Sequence, residues 1–384
     1  MHGLVLSTVC LATLTFAPEA EAVRVVEQLG GKVDYDEQKH VVGIDLLQRE
    51  PKDDDLKALA GLTHLHSLKL YGSEITDAGM PQVAKLSGLT ELVLENTAVT
   101  DVGLKLLTTL NKLKSLNLRR SNTTDAGLQY VREFPALEQL HLLFTNTSNA
   151  GLEQIAGMTR LRILDLRGCV QISDTGIAHL QNLTNLEQLK LRNPGVNDPS
   201  LKYIAHMTKL KVLALEDTGI TNDGLKLIQD LPNVQDLDVM RCIGLDDDGL
   251  VYLAGYKKLK KLSLRGIYID GTGLGALKEC KNLRTLELSE TLVKDAGLEK
   301  IHGFTSLVDL DLWHTRITDA GLKHLEGLRN LQALSLEDTA VTNEGLAHLY
   351  DLKNLKSLNV KLTKISPDAV EKLTAKLPGL KVER

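Results

Sequence analysis

The sequence predicts an α/β solenoid: a right-handed coil of short strands and short helices bent into a horseshoe, with a parallel sheet on the concave face and helices on the convex face. Three observations lead there. A 24-residue frame recurs from Val41 to the C-terminus. Within each copy the apolar spacing changes from every second residue to every third or fourth, the mark of a strand followed by a helix. Aromatics are only 3% of the 384 residues, so a core must be built from Leu, Val, Ile and Ala in many similar layers.

The frame reads LxxLxLxxTxITDxGLxxLxxLxx. Leu65 opens LHSLKLYGSEITDAGMPQVAKLSG, Leu89 opens LTELVLENTAVTDVGLKLLTTLNK, and Leu331 opens LQALSLEDTAVTNEGLAHLYDLKN. Units begin at Val41, Leu65, Leu89, Leu113, Leu137, Leu161, Leu186, Leu210, Val234, Leu259, Leu283, Leu307, Leu331 and Leu355, which makes 14, followed by a strand fragment at Leu380. The units at Leu161, Val234 and Leu355 carry one extra residue. No linker interrupts them, so the repeats read as one domain spanning 41–384.

Each part of the frame has a physical reading. LxxLxL is a strand whose positions 1, 4 and 6 point inward. Positions 12 and 13 are mostly Thr or Ser and Asp or Asn, as in Thr76-Asp77 and Thr318-Asp319. Such residues cap the free N–H groups of a first helical turn. Leucines at positions 16, 19 and 22 form one helix face. Position 15 is Gly in 11 units, where a missing Cβ lets the helix start lie close to the next unit. No unit can bury its apolar face alone, so the units must stack. Strands stack about 4.8 Å apart and helices about 10 Å apart, which bends the stack with its strands inside.

The first 40 residues depart from the frame. LVLSTVCLATLTFA is apolar and uncharged, and Ala20-Glu21-Ala22 is a small-residue cleavage site, so residues 1–22 read as a signal peptide without a basic n-region. Residues 23–40 then supply a helix and a strand that cap the first unit. No other apolar run reaches membrane-spanning length, and the net charge of -5 is interspersed. The expected location is secreted, periplasmic or cell envelope.

The frame resembles the leucine-rich repeat family from Val41 onward. The units LRILDLRGCVQISDTGIAHLQNL at Leu161 and VQDLDVMRCIGLDDDGLVYLAGY at Val234 are similar to the cysteine-containing subclass of F-box receptors, with Cys169 and Cys242 in the subclass slot. Elsewhere Thr fills that slot, as in secreted bacterial repeats of this kind. The resemblance implies a non-enzymatic scaffold that meets a protein partner on its concave sheet. Residues 23–40 are too few for an F-box. An intracellular adaptor, similar to a ubiquitin-ligase substrate receptor without that box, is the alternative reading.

Positions 5 and 7 face outward on the sheet. Trp313, the only tryptophan, stands at position 7 with Asp309 and Asp311 beside it and Glu287, Ser289, Ser335 and Glu337 in the flanking units. Two serines at its sides predict an accessible ring with an acidic rim, a hot spot or a cation–π partner for a basic side chain. A plain cover over neighbouring side chains is the opposing reading. A basic strip is expected from Arg119, Arg120, His141, Arg167, Lys190 and Arg192, with Leu143 and Phe144 among them. It suits an acidic segment or an anionic glycan, against an ordinary mixed-charge face. The acidic half and the scarce aromatics disfavour nucleic acid.

No nucleophile elbow, zinc-protease, P-loop or dinucleotide motif occurs in a fitting context. Cofactors and metals are not expected. His179, His324 and His348 share one helix slot and read as an outward face. Cys169, Cys242 and Cys280 are expected to be buried thiols outside any disulfide, because three units separate the first two.

Overall fold

A computed structural model describes residues 17–384. The chain divides into two compact units, one ending at Leu161 and one beginning at Arg162. The uninterrupted repeat carries no sign of that division.

The first unit opens with the helix Ala17–Gln28, which buries Ala22 and Val26. Gly30, at φ 71°, turns the chain into the strand Lys32–Tyr35. That strand runs antiparallel to Val41–Asp45, with Lys32 opposite Asp45. It thus covers the edge of the first repeat strand. The expected cleavage point after Ala22 lies inside this helix. The rest of the expected signal segment, with Cys10, lies outside the described residues. Next come Ser67–Tyr71, Glu91–Glu95, Ser115–Asn117 and Gln139–His141, all parallel and in frame: Leu68 pairs with Leu92, and Leu116 with Leu140.

The second unit repeats the pattern from Ile163–Asp165 to Lys381–Glu383. Its strands are parallel and follow chain order. Leu262 pairs with Leu286, Leu286 with Leu310, and Leu310 with Leu334. Register is set by burial, since a slip of one residue would turn these leucines to solvent. In the copy that starts at Leu307, Leu307, Leu310, Leu312, Ile317, Leu322, Leu325 and Leu328 are all 0% exposed. Each such side chain stabilises by about 1.5–3 kcal/mol. The following helices are one or two turns, and some are 3-10, as in Asp247–Leu253. Segments this short draw their stability from the packed leucine face rather than from propensity.

Helix starts are joined from copy to copy. Thr318, extended at φ -127°, caps Asp319–Leu322, its hydroxyl accepting from the Ala320 N–H. Its own N–H and hydroxyl donate to the two carboxylate oxygens of Asp295, at 2.8 and 2.7 Å. Thr100 donates in the same way to Asp77, and Thr221 to Asp198. This explains the recurrent glycine. A Cβ on Gly321 would run into Oδ1 of Asp295, so the close neighbour is the aspartate of the preceding copy. Ser200 stands where glycine is usual, and its hydroxyl donates to Asp174 Oδ1 at 2.5 Å.

A left-handed turn ends most strands. Asn96, Arg120, Phe144, Asp217, Arg241, Glu290, His314 and Asp338 hold φ between 48° and 58° at frame position 8. Where a threonine stands one place later, as at Thr97, Thr145, Thr218, Thr291, Thr315 and Thr339, its hydroxyl donates to the carbonyl three residues back, as Thr315 does to Leu312 at 2.7 Å. That bond satisfies a buried backbone group and aims position 7 out over the sheet.

Candidate functional site

On the open sheet face of the second unit, the strand Asp309–Asp311 leads into Trp313. The Trp313 N–H donates to Asp311 Oδ1 at 3.0 Å. The indole is half-buried. The guanidinium carbon of Arg265 lies 5.0 Å from its ring centroid. Arg265 occupies the same frame position two copies earlier. Ser289, the residue between them, is 1% exposed and small enough to let the arginine cross. Its Oγ is buried with no hydrogen-bond partner, which costs about 1–3 kcal/mol. Arg265 is itself anchored, its Nε donating to Glu290 Oε2 at 2.7 Å. Arg265 thus covers one side of the ring expected to stand open between two serines. The missed residue, Arg265, was legible only as an equal frame position beyond the nearest neighbour.

Beside the ring lies an open hollow of about 340 Å³. Its lining includes Glu287, Asp309, Asp311, Ser335 and Glu337 together with Trp313. The predicted acidic residues thus come together. Besides Asp311, which accepts from the Trp313 N–H, two have side-chain partners: Lys261 Nζ is 2.7 Å from Glu287, and Asn359 Nδ2 donates to Glu337 Oε2 at 2.6 Å. The packed face desolvates Asp309, and Asp311 and Glu287 repel it; its carboxyl is held above the ordinary value although Lys261 opposes this. Further along the face burial pushes Asp238 up to about 6, with Glu216 and Glu287 adding to the shift and the Met240 N–H working against it. Asp236 moves the same way, again chiefly through burial.

The predicted basic residues do something else. In the first unit Arg119 Nη1 is 3.1 Å from Glu95 Oε1. Arg120 lies over the Phe144 ring at 5.1 Å, and Phe144 is 43% exposed. In the second unit Arg167 grips Asp165 with two nitrogens, at 3.1 and 2.9 Å, and reaches Glu216 with a third at 3.1 Å. Burial opposes its charge, but these two carboxylates more than offset that and raise its pKa. Arg192 and Arg241 share Asp217, each through Nε at 2.6 Å. Lys190 lies close enough to Asp236 to favour its ionised form. For Arg119, Arg167 and Arg192 the expected strip is thus a set of internal ion pairs. The overlooked partners were Glu95, Asp165, Glu216 and Asp217.

Cys169, Cys242 and Cys280 are buried thiols and none is in a disulfide. Cys242 Sγ donates to the Leu215 carbonyl at 2.9 Å, and burial lifts its pKa to about 11, so it is no nucleophile at neutral pH. His348 Nδ1 meets Glu326 at 2.6 Å. Among the described residues no group of three or more metal-ligating side chains is found.

The stacked, in-frame strands alternating with short helices are matched in solved structures. An internalin of Listeria monocytogenes is 20% identical, with 98% of each chain covered and a TM-score of 0.54. A leucine-rich repeat protein of Leptospira interrogans is 20% identical over 85% of this chain and 86% of its own, at 0.55. The mouse RP105/MD-1 complex matches at 19%, over 85% of this chain and 61% of that one, at 0.58. The fold is the leucine-rich repeat fold. A family model for the leucine-rich repeat also matches residues 158–180 and 206–228. No curated protein matches. Among the described residues no helix is long and apolar enough to cross a membrane.

Proposed function

We propose that this chain is a non-enzymatic scaffold that seats a protein partner on the open face of its sheet, around Trp313. The observation that carries the reading is the half-buried indole beside a hollow rimmed by Glu287, Asp309, Asp311 and Glu337. A large ring that keeps part of its surface in such a hollow is the kind of anchor that dominates an interface. Arg119, Arg167, Arg192 and Arg241 are spent on internal carboxylates, and the acidic lining of the hollow favours a basic partner segment. The mouse RP105 neighbour, which shares the fold, forms a complex with MD-1. In capture experiments Trp313→Ala is expected to lose the partner while the protein stays folded. Unchanged capture would remove the site.

The repeats are assigned to the cysteine-containing subclass on Cys169 and Cys242, and the chain to the secreted type: signal peptide 1–22, cap 23–40, repeats 41–384. One observation favours the alternative, an intracellular adaptor. Ala22 is buried within the unbroken helix Ala17–Gln28, as suits a leader that is kept. Sequencing the N-terminus of the mature protein decides: Val23 as first residue supports secretion, and a retained Met1 supports the adaptor.

A further inference from the structure

We propose that the hollow beside Trp313 receives one guanidinium from an arginine-bearing segment of the partner, and that Arg265 is the positioning residue that holds the indole for it. This rests on the reading of the open face as the partner surface.

The ring already accepts a guanidinium, that of Arg265 at 5.0 Å. A cation over an indole is drawn to the ring quadrupole. Arg265 does not fill the hollow, whose lining comes mainly from the copies at Leu307, Leu331 and Leu355. Arg265 reaches the ring from the other direction, from the copy at Leu259. One approach to the indole is therefore taken and another is open.

The Arg265 side is built to stay in place. Glu290 holds the guanidinium at 2.7 Å, and Ser289 leaves room beneath it, its own hydroxyl buried and unpartnered. A ring steadied in this way loses less freedom when a partner docks. The charged residues that line the hollow are all acidic. Asp309, Asp311 and Glu337 gather there, and Asp311 and Glu287 repel the Asp309 carboxylate. An incoming cation relieves that repulsion. Arginine fits better than lysine because a planar guanidinium can stack on the indole and at the same time donate edgewise to carboxylates.

Trp313 is the only tryptophan, so emission excited at wavelengths the eight tyrosines do not absorb reports on this ring alone. The test titrates the full chain with the peptide acetyl-(Gly-Arg)3-amide and with its neutral citrulline counterpart. A saturable emission change is expected with the arginine peptide, and binding at least tenfold weaker with citrulline. Glu337→Gln, which keeps an acceptor for Asn359, is expected to weaken the arginine peptide about tenfold. Arg265→Ala should weaken it roughly three- to tenfold and expose the indole to iodide quenching, with Arg265→Lys restoring part of both. Equal binding of the two peptides overturns the cation site. Undiminished binding by Arg265→Ala overturns the positioning role. If neither peptide binds while Trp313→Ala still abolishes partner capture, this inference falls and the partner surface stands.

Discussion

Arg167 and Trp313 hold the same place in their copies of the frame, on the same sheet face of the second unit, and they end in opposite roles. Arg167 has carboxylates on both sides, Asp165 on its own strand and Glu216 two copies on, and each of its three guanidinium nitrogens donates to one of them. Trp313 has no group nearby that can consume it whole. Arg265 takes one approach to the ring, and a hollow remains beside it. The contrast teaches that outward orientation on a strand face does not make a side chain available. Availability depends on whether the neighbours at equivalent positions can complete its contacts.

The comparison breaks most readily at Arg167. Asp165 is 3% and Glu216 7% exposed, so Arg167→Ala strands two buried carboxylates. Removing one partner of a fully buried pair costs about 3–5 kcal/mol, and the 29% exposure of the Arg167 side chain lowers the expectation to about 2–3 kcal/mol. Urea unfolding measures it. A loss below that of Trp313→Ala would reverse the contrast.

Next in size is Gly321→Ala, which places a methyl against the Asp295 carboxylate that receives Thr318. Overpacking of this kind costs about 1–3 kcal/mol, read as a lowered thermal midpoint with partner capture retained. A midpoint equal to wild type would mean that the glycine does not mark a close approach.

Asp238 sharpens the electrostatic side. Its folded carboxyl is raised to about 6 from an ordinary 3.8, so the folded chain holds the proton more tightly. The stability this contributes is complete below the ordinary value and is lost as pH rises through about 6. Asp238→Asn should therefore match wild type near pH 4 and exceed it by on the order of 1–2 kcal/mol at pH 7. Parallel midpoint-against-pH curves for the two proteins would show that the carboxyl is not desolvated.

The smallest expected effect on folding is that of Trp313→Ala, below about 1 kcal/mol by denaturant unfolding, because a half-buried surface ring leaves no enclosed cavity. A loss of several kcal/mol would make the indole a structural cover.

Most of the fold was legible. The alternation in DLDLWHT named Leu310 and Leu312 as core and Asp309, Asp311 and Trp313 as face, and burial agrees for both leucines. The helix starts were legible too, although the reason for Gly321 was a carboxylate in the preceding copy. The candidate site was legible by membership and not by contact. Nothing near Arg167 in the sequence marks Glu216 as its partner, and nothing near Trp313 marks Arg265.

The sequence by itself determined which residues are hidden and which strand meets which, because a period-two pattern repeated every 24 residues permits one register in which all the leucines are buried. Tertiary structure alone decided which exposed side chains remain available. Long side chains span two strand spacings, and whether a guanidinium finds a carboxylate or an indole at that distance depends on three-dimensional neighbours rather than on the period.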